Sequence, residues 1–345
     1  MIYQWTVIGA GPAGIAAIGN LLDQGISPQG IAWIDPAFNV GDFGTIWRRV
    51  HGNTKVKYFL KFLEHCQAFQ YKNCSEKFSL NTVPIDETCE LSLMAEPLQW
   101  ISNHLKEKVK TFTDFAEKLS LNQRVWTIQL RNNTIFSKQV ILAIGAEPKH
   151  LSLSHSQIIP LQDVLDKERL LQHIQADDTI GVFGSSHSAV LALRNLVEQS
   201  VSRIINFYQE PLRYAVHLKD WILFDNTGLK GPTAEWARIH LDGVLPKNLT
   251  RVFSSKETIE KYLPQCTKVI YAVGFERRTF PEVEGLASLT YLEQSGIIAP
   301  GLFGVGIAFP EAKTDPLGRM EYRVGLWKFM DYLQNIMPLW LQYTP

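Results

Sequence analysis

The sequence has few cysteines, and none of them is arranged for redox or metal chemistry. Four cysteines are scattered through 345 residues, and no two of them form a C-x-x-C pair. Structural zinc sites and redox-active disulfides commonly use such pairs, so both are disfavoured and we expect reduced thiols. The nine histidines show no H-x-x-x-H spacing, so we expect no metal site.

Long apolar runs and an excess of charge of one sign are also missing. No uninterrupted apolar segment is long enough to span a bilayer, and the first residues look like a strand rather than a charged leader. We therefore expect a cytoplasmic protein without a membrane span. Lysine and arginine number 34, as do aspartate and glutamate, which argues against nucleic-acid binding. The length predicts two domains. As a separate expectation, the substrate is a small molecule.

The features that are present point to dinucleotide binding, beginning at the start of the chain. An apolar run at 5–8 precedes three glycines in the G-x-G-x-x-G spacing, and a helical pattern follows them. Gly9 permits the tight turn, Gly11 lets a pyrophosphate approach the backbone, and Gly14 lets the helix pack closely. A second apolar run ends in Asp35, where a carboxylate would bind a ribose hydroxyl. We call residues 9–14 the first glycine turn; a purely structural turn is the alternative.

The same pattern partly recurs later in the chain. A strand pattern at 180–183 leads into residues 184–189, which we call the second glycine turn, and a helix and a strand pattern follow. Ser186 stands where the pyrophosphate normally requires glycine, so it either weakens nucleotide binding or donates its hydroxyl to a phosphate. His187 is a candidate phosphate contact, with a solvated turn residue as the alternative.

The choice between NAD and NADP depends on residues after the second unit's next strand, predicted at 204–208. No acidic residue follows this strand at once. Arg213 or Arg203 could therefore pair with a 2′-phosphate, because a guanidinium suits it. This favours NADP, while a solvated surface arginine is the alternative.

The remaining patterns predict how these units are connected. Helices are predicted at 56–69, within 86–110 and in the tail at 320–341, and strands at 125–130, 134–136, 140–144 and 268–273. The strand ending before Gly145 and the strand ending before Gly274 look like copies of one another. The polar residues 146–177 are predicted to cross between domains.

This ordered set of motifs resembles the two-dinucleotide-binding-domain flavoproteins, the pyridine nucleotide–disulfide oxidoreductase superfamily, over nearly the whole chain. The resemblance implies an α/β fold with two Rossmann-like nucleotide-binding domains, the second inserted into the first. It implies an FAD-binding domain formed by 1–150 and 268–345, and an NAD(P)-binding domain at 151–267. The disulfide reductases of this superfamily need a C-x-x-C, which is absent here.

The chain is more similar to the flavin-containing monooxygenase branch. Residues 43–48 resemble its Gly-Gly-x-Trp segment beside the flavin, and residues 53–55 resemble its Asn-Ser-Ser-Lys segment. Residues 270–275 resemble its Ala-Thr-Gly-Tyr strand end, and residues 300–307 resemble its last FAD segment. The spacing from Trp47 to Asn53 is short for this branch. Many superfamily members have an Asp after the last glycine to hold the ribitol. Here this residue is Ile307, as in the monooxygenase branch, where a backbone contact would have to serve.

The resemblance implies an FAD-dependent, NAD(P)H-using oxidoreductase of monooxygenase type, in which NAD(P)H reduces FAD before oxygen is activated. Asn53 would be the catalytic residue that donates to the oxygen adduct, and a turn residue beside Gly52 is the alternative. An NAD(P)H oxidase or reductase, or a non-catalytic flavin-binding regulatory protein, are the competing functions. The predicted cofactor contacts are Gly9, Gly11, Pro12, Ala13, Gly14, Asp35, Pro36, Gly44, Thr45, Trp47, Gly145, Gly184, Ser185, Ser186, His187, Arg213, Gly274, Gly306 and Ile307.

Overall fold

The computed structural model describes residues 1–153, 157–279, 281–285 and 290–344. The chain divides into two compact units. Unit 1 comprises Met1–Arg48, Thr54–Ala146 and Arg277–Pro345, and unit 2 comprises Arg49–Asn53 and Glu147–Glu276. Within the described ranges, no helix combines the length and the apolar character needed to cross a membrane.

The helices, in chain order, are α1 (Pro12–Asp23), α2 (Gly41–Gly44), α3 (Val56–Leu63), α4 (Ser92–Lys106), α5 (Leu161–Leu165), α6 (Lys167–Leu170), α7 (His187–Glu198), α8 (Gly231–His240), α9 (Lys256–Tyr262) and α10 (Leu326–Gln342). The strands are β1 (Ile2–Ile8), β2 (Ile31–Ile34), β3 (His51–Lys55), β4 (Thr88–Glu90), β5 (Lys110–Phe112), β6 (Ala116–Asn122), β7 (Val125–Leu130), β8 (Thr134–Leu142), β9 (Ala146–Pro148), β10 (Thr179–Phe183), β11 (Arg203–Tyr208), β12 (Val216–His217), β13 (Ile222–Leu223), β14 (Leu249–Phe253), β15 (Lys268–Tyr271), β16 (Phe275–Arg277), β17 (Glu282–Val283), β18 (Ile297–Ala299), β19 (Leu302–Gly304), β20 (Glu311–Thr314) and β21 (Met320–Arg323).

Unit 1 contains a mixed sheet, and its parallel part has the strand order β5, β2, β1, β8, β19. Strand β8 is long enough to have different partners along its length. Its first half pairs antiparallel with β7, and its second half pairs parallel with β19. Strands β2 and β19 are buried along their whole length, as expected where both faces of a parallel sheet are covered. Helix α1 packs against α10 on one of these faces.

Unit 2 repeats the central part of this architecture in a smaller sheet. Its four strands are all parallel and run in the order β14, β11, β10, β15. The order matches β5, β2, β1, β8 in unit 1, so β10 corresponds to β1 and β15 corresponds to β8. The predicted duplication is therefore present in the sheet topology as well as in the turns.

Strand β15 corrects the predicted domain boundary. The sequence placed residues 268–274 with the first domain, but β15 pairs with β10 in the second sheet. The prediction was wrong for this strand because an apolar run capped by glycine has the same pattern in both units. The chain re-enters unit 1 at Arg277.

Two further elements differ from their predicted extents. Helix α3 ends at Leu63 rather than at 69, because the Asp23 carboxylate accepts the backbone N–H groups of Gln67 and Ala68, each at 2.8 Å. These bonds hold a 3₁₀ turn in place of the predicted last helical turns. In the tail, β21 forms a hairpin with β20 before α10 begins, where the sequence predicted helix from residue 320.

Candidate cofactor sites

The first glycine turn is closely packed at its two ends and open in its middle. Gly9 has φ +109, and a Cβ at this position would lie 2.3 Å from the carbonyl oxygen of Ala143. A Cβ at Gly14 would lie 1.9 Å from the Gly9 carbonyl oxygen. A Cβ at Gly11 would meet the Val40 carbonyl oxygen at 3.8 Å and nothing closer. The backbone at Gly11 is therefore accessible to a ligand, as its predicted role requires.

Strand β2 holds this turn with two side chains. The indole N–H of Trp33 donates to the Gly9 carbonyl at 2.9 Å. The Asp35 carboxylate accepts the N–H of Ala10 at 2.8 Å through Oδ2, and those of Ala37 and Phe38 through Oδ1. An ionised carboxylate has about four acceptor positions, so one remains for a ribose hydroxyl.

The amino end of α1 is arranged to receive an anion. Gly11 is its N-cap, Pro12 begins it, and no side chain caps it, so the first N–H groups have no side-chain acceptor. Gly306 approaches the first turn so closely that a Cβ there would lie 2.7 Å from the Ala13 Cβ. Ile307 follows and is 37% exposed. Because its side chain is apolar, only its backbone can make a polar contact with a cofactor.

Helix α2 lies against the first glycine turn. A Cβ at Gly41 would come within 3.2 Å of the Gly11 Cα, and a Cβ at Gly44 would lie 2.3 Å from the Asn39 carbonyl oxygen. Asp42 forms an ion pair of 2.6 Å with Arg278. Arg278 is also the nearest neighbour of a Cβ placed at Gly145, at 3.6 Å. This pair therefore joins α2 to the residues at the end of β8.

The predicted flavin-side residues follow α2 along the chain. Thr45 is exposed and donates its hydroxyl to the Gly41 carbonyl, while Trp47 is half-buried and donates its backbone N–H to the Asp42 carbonyl. Pro36 is exposed directly after Asp35. Asn53 lies in β3 and is half-buried, and no described residue hydrogen-bonds to its side-chain amide. That amide is therefore available as a donor, although its segment belongs to unit 2.

The second glycine turn reproduces the geometry of the first. Gly184 has φ +127, and a Cβ there would lie 2.3 Å from the Ala272 carbonyl oxygen, as Gly9 approaches Ala143. Ser186 has φ −90 and ψ −171, close to the −73 and −179 of Gly11. Serine is thus compatible with this backbone, and its side chain does not cap α7. The amino end of α7 remains open, with Ser185 half-buried in the turn.

Asn206 on β11 performs the bracing role that Trp33 has in unit 1. Its side-chain N–H groups donate to the carbonyls of Gly184 at 2.8 Å and Val182 at 3.1 Å. Trp33 and Asn206 each stand one residue before the strand residue whose carbonyl accepts the glycine N–H (Ile34 and Phe207), and both donate to the glycine carbonyl. Sequence reasoning missed both residues; the available signal was a polar asparagine inside the apolar run at 204–208.

His187 lies within the second glycine turn and is the first residue of α7. The residue is half-buried overall, but its Nδ1 atom is fully enclosed and has no hydrogen-bond partner among the described residues. Burial, with smaller contributions from Lys230 and His51, lowers the pKa of His187 to about 4. At neutral pH its imidazole is uncharged, and one ring nitrogen can donate to a phosphate.

We expect His187 to make the stability of unit 2 depend on pH. Its pKa is depressed in the folded state, so the unfolded state binds the extra proton first as pH falls. Stability contributed by the neutral imidazole is therefore present above about pH 6.5 and is lost progressively towards pH 4. A His187→Gln variant should show a flatter profile of urea midpoint against pH over this range. His150→Gln, at an exposed histidine of unit 2, is the control, and parallel profiles for His187→Gln and the parent would contradict the assignment.

The other two predicted nucleotide contacts have different surroundings. Gly274 has φ +100 and follows β15, so it belongs to unit 2 rather than to the first domain. Apart from its two chain neighbours, no described residue has an atom within 4 Å of a Cβ placed there. Arg213 forms an ion pair of 2.8 Å with Glu210, and its guanidinium lies 5.9 Å from the centre of the Phe224 ring. Its charge is already matched by a carboxylate.

The chain thus has two Rossmann-like units, each with a parallel sheet core and a glycine turn that opens a helix without a side-chain cap. No family model matches the sequence. Monooxygenase AgnR1 from Paecilomyces divaricatus is 34% identical to this chain, over 97% of the chain and 97% of the relative. The chain belongs to this family of monooxygenases and is therefore an oxidoreductase.

Solved structures confirm the predicted α/β fold of Rossmann type. The flavin-containing monooxygenase from Stenotrophomonas maltophilia superposes with a TM-score of 0.63 at 16% identity, covering 99% of both chains. The ornithine N-hydroxylase of Kutzneria sp. 744, solved with reduced FAD, NADP⁺ and L-ornithine, gives a TM-score of 0.69 at 10% identity, again covering 99% of both. At these identities the likeness concerns the fold.

Proposed function

We propose that this chain is an FAD-dependent, NADPH-using monooxygenase of a small molecule, with FAD bound by unit 1 and NADPH by unit 2. The observation that carries the proposal is the repeated turn. In both units a glycine with positive φ packs on a strand-end alanine, a β-strand side chain braces its carbonyl, and a helix begins without a side-chain cap. Two such turns in one chain suit two dinucleotides.

In unit 1 the chemistry of each predicted contact suits a particular part of FAD. The open backbone at Gly11 and the amino end of α1 suit the pyrophosphate, and the free acceptor position of Asp35 suits a ribose hydroxyl. The backbone of Gly306 and Ile307, held against Ala13, suits the part of the cofactor beyond the pyrophosphate. Gly44, Thr45, Trp47 and Gly145 remain predicted contacts.

In unit 2 the amino end of α7 suits the pyrophosphate of NADPH. The Ser186 hydroxyl and the neutral His187 ring add two donors to the backbone N–H groups of this turn. Gly274, at the end of β15, would border the same nucleotide. Serine in place of the middle glycine is therefore compatible with binding.

FAD would supply the redox chemistry when bound, and the chain would supply orientation and hydrogen bonds. The Asn53 side-chain amide, which no described residue uses, is the proposed donor to the reacting oxygen. The substrate class we propose is a small nucleophile with a nitrogen or sulfur atom, which is the kind of centre that flavin-activated oxygen oxidises.

Anaerobic reduction of the purified protein tests this function. We expect a yellow protein whose flavin absorbance is lost on mixing with NADPH, and oxygen uptake that yields oxygenated product from a panel of primary amines and thioethers. A colourless protein that does not take up added FAD would contradict the proposal. A flavin that is not reduced by NADPH or NADH would favour a regulatory flavoprotein, and stoichiometric hydrogen peroxide with every substrate would favour an oxidase.

A further inference from the structure

Unit 2 has no carboxylate at the position where unit 1 has Asp35. The N–H of Gly9 donates to the carbonyl of Ile34, and the N–H of Gly184 donates to that of Phe207. The residue after Ile34 is Asp35, and the residue after Phe207 is Tyr208. A carboxylate here would bind ribose hydroxyls and repel a phosphate, so Tyr208 leaves room for a nucleotide that is phosphorylated on its ribose.

Arg251 is the cation that the fold places at this position. It lies on β14, whose residues pair with those of β11, and its Nε donates to the Asn206 Oδ1 at 3.0 Å. Asn206 in turn donates to the Gly184 carbonyl of the second glycine turn. The Arg251 guanidinium lies 4.8 Å from the centre of the Tyr208 ring. The side chain is thus fixed between the glycine turn and the end of β11.

The terminal nitrogens of Arg251 lack an acidic partner. The side chain is half-buried, and burial lowers the pKa of its guanidinium. In the part of the chain that the structure describes, no carboxylate oxygen lies within 4.0 Å of it. The nearby Asp242 accepts the hydroxyl of Tyr214 instead. A guanidinium that is partly withdrawn from water and unpaired is a site for an anion, and its planar fork matches phosphate oxygens.

Arg213 and Arg203, the two arginines expected from the sequence, are less suitable than Arg251 for binding a 2′-phosphate. Arg213 is paired with Glu210. Arg203 begins β11, so it lies at the opposite end of this strand, roughly 16 Å from its carboxyl end. Ligands of open parallel sheets bind at the carboxyl ends of the strands, which excludes that position.

We propose that Arg251 binds the 2′-phosphate of NADPH and sets the preference for NADPH over NADH. This proposal rests on the assignment of NADPH to unit 2. Sequence reasoning missed Arg251 because it lies far from the second turn in the chain, on a strand that had no motif.

Calorimetric binding of 2′,5′-ADP and 5′-AMP to the FAD-loaded full chain tests the proposal. These probes differ only in the 2′-phosphate. We expect the parent to bind 2′,5′-ADP about 10- to 100-fold more tightly, as hydrogen bonds to charged groups contribute. Arg251→Met should abolish this difference, mainly through weaker binding of 2′,5′-ADP, because 5′-AMP has no 2′-phosphate for the guanidinium to bind. Arg213→Met and Arg203→Met are matched controls that should retain the parent's preference.

A second variant tests the same proposal even if Arg251→Met does not fold. Tyr208→Asp places a carboxylate where unit 1 has Asp35, and it should reverse the preference in favour of 5′-AMP. If the parent binds both probes equally, or if Arg213→Met rather than Arg251→Met loses the preference, the proposal for Arg251 is wrong and unit 2 still binds nucleotide. If the parent binds neither probe, the assignment of NADPH to unit 2 itself fails.

Discussion

A Gly11→Ala variant should fold like the parent and lose FAD. The added Cβ would meet the Val40 carbonyl oxygen at 3.8 Å, an ordinary contact, and φ −73 with ψ −179 is allowed for alanine. The methyl group would instead occupy the space that a pyrophosphate needs. We expect FAD to bind about 100-fold more weakly, or about 2.7 kcal/mol, measured by quenching of flavin fluorescence.

The matched control is Gly30→Ala, which adds the same methyl group in a turn before β2. Its Cβ would lie 3.4 Å from the Gln4 Cβ, away from the glycine turn. Both variants should unfold at the parent's temperature when FAD is absent. Unchanged FAD affinity in Gly11→Ala would show that the cofactor does not approach this turn. A large loss of stability in the apoprotein would show that Gly11 is required by the fold instead.

An Asp35→Asn variant should lose both stability and FAD affinity. The carboxylate accepts three backbone N–H groups, one through Oδ2 and two through Oδ1. An amide has a single acceptor oxygen, so its NH₂ group must face either Ala10 or the pair formed by Ala37 and Phe38. An unsatisfied buried donor costs about 1–3 kcal/mol, and we expect a loss of this size in urea unfolding of the apoprotein.

Asp23→Asn separates the two expected effects of the Asp35 change. The Asp23 carboxylate also accepts two backbone N–H groups, at 2.8 Å each, but these belong to Gln67 and Ala68 outside the glycine turn. This variant should lower the stability of the apoprotein and leave FAD affinity unchanged. If Asp35→Asn weakens FAD no more than Asp23→Asn does, Asp35 has no direct part in binding the cofactor.

The local part of the candidate sites could be predicted from the sequence. The geometry of the turns at 9–14 and 184–189 depends mainly on residues within the motif itself. The glycine spacing therefore predicts this geometry. The duplication was visible because the same order of strand, turn, helix and strand occurs twice. Ser186 was the uncertain position, and its backbone angles show that serine fits there.

Contacts between distant residues could not be predicted. Trp33 and Asn206 occupy one position in two apolar strands, yet an indole and an amide share no sequence pattern that indicates a common role. The pairing of β15 depends on which of two similar sheets an apolar run joins, and hydropathy does not distinguish them. Arg251 becomes relevant only through the register of β14 on β11.

The discontinuity of unit 1 affects when during synthesis the protein can acquire its flavin. Strand β8 needs β19 as a partner, α1 needs α10, and the Gln139 amide donates to the Trp340 carbonyl, 201 residues further on. Most of unit 2 comes from one continuous segment, which leaves the ribosome earlier. Since chains fold as they emerge, the nucleotide-binding insertion can be complete while the first glycine turn still lacks Gly306. If unit 1 binds FAD as proposed, we therefore expect FAD to be incorporated late, at or after release of the chain.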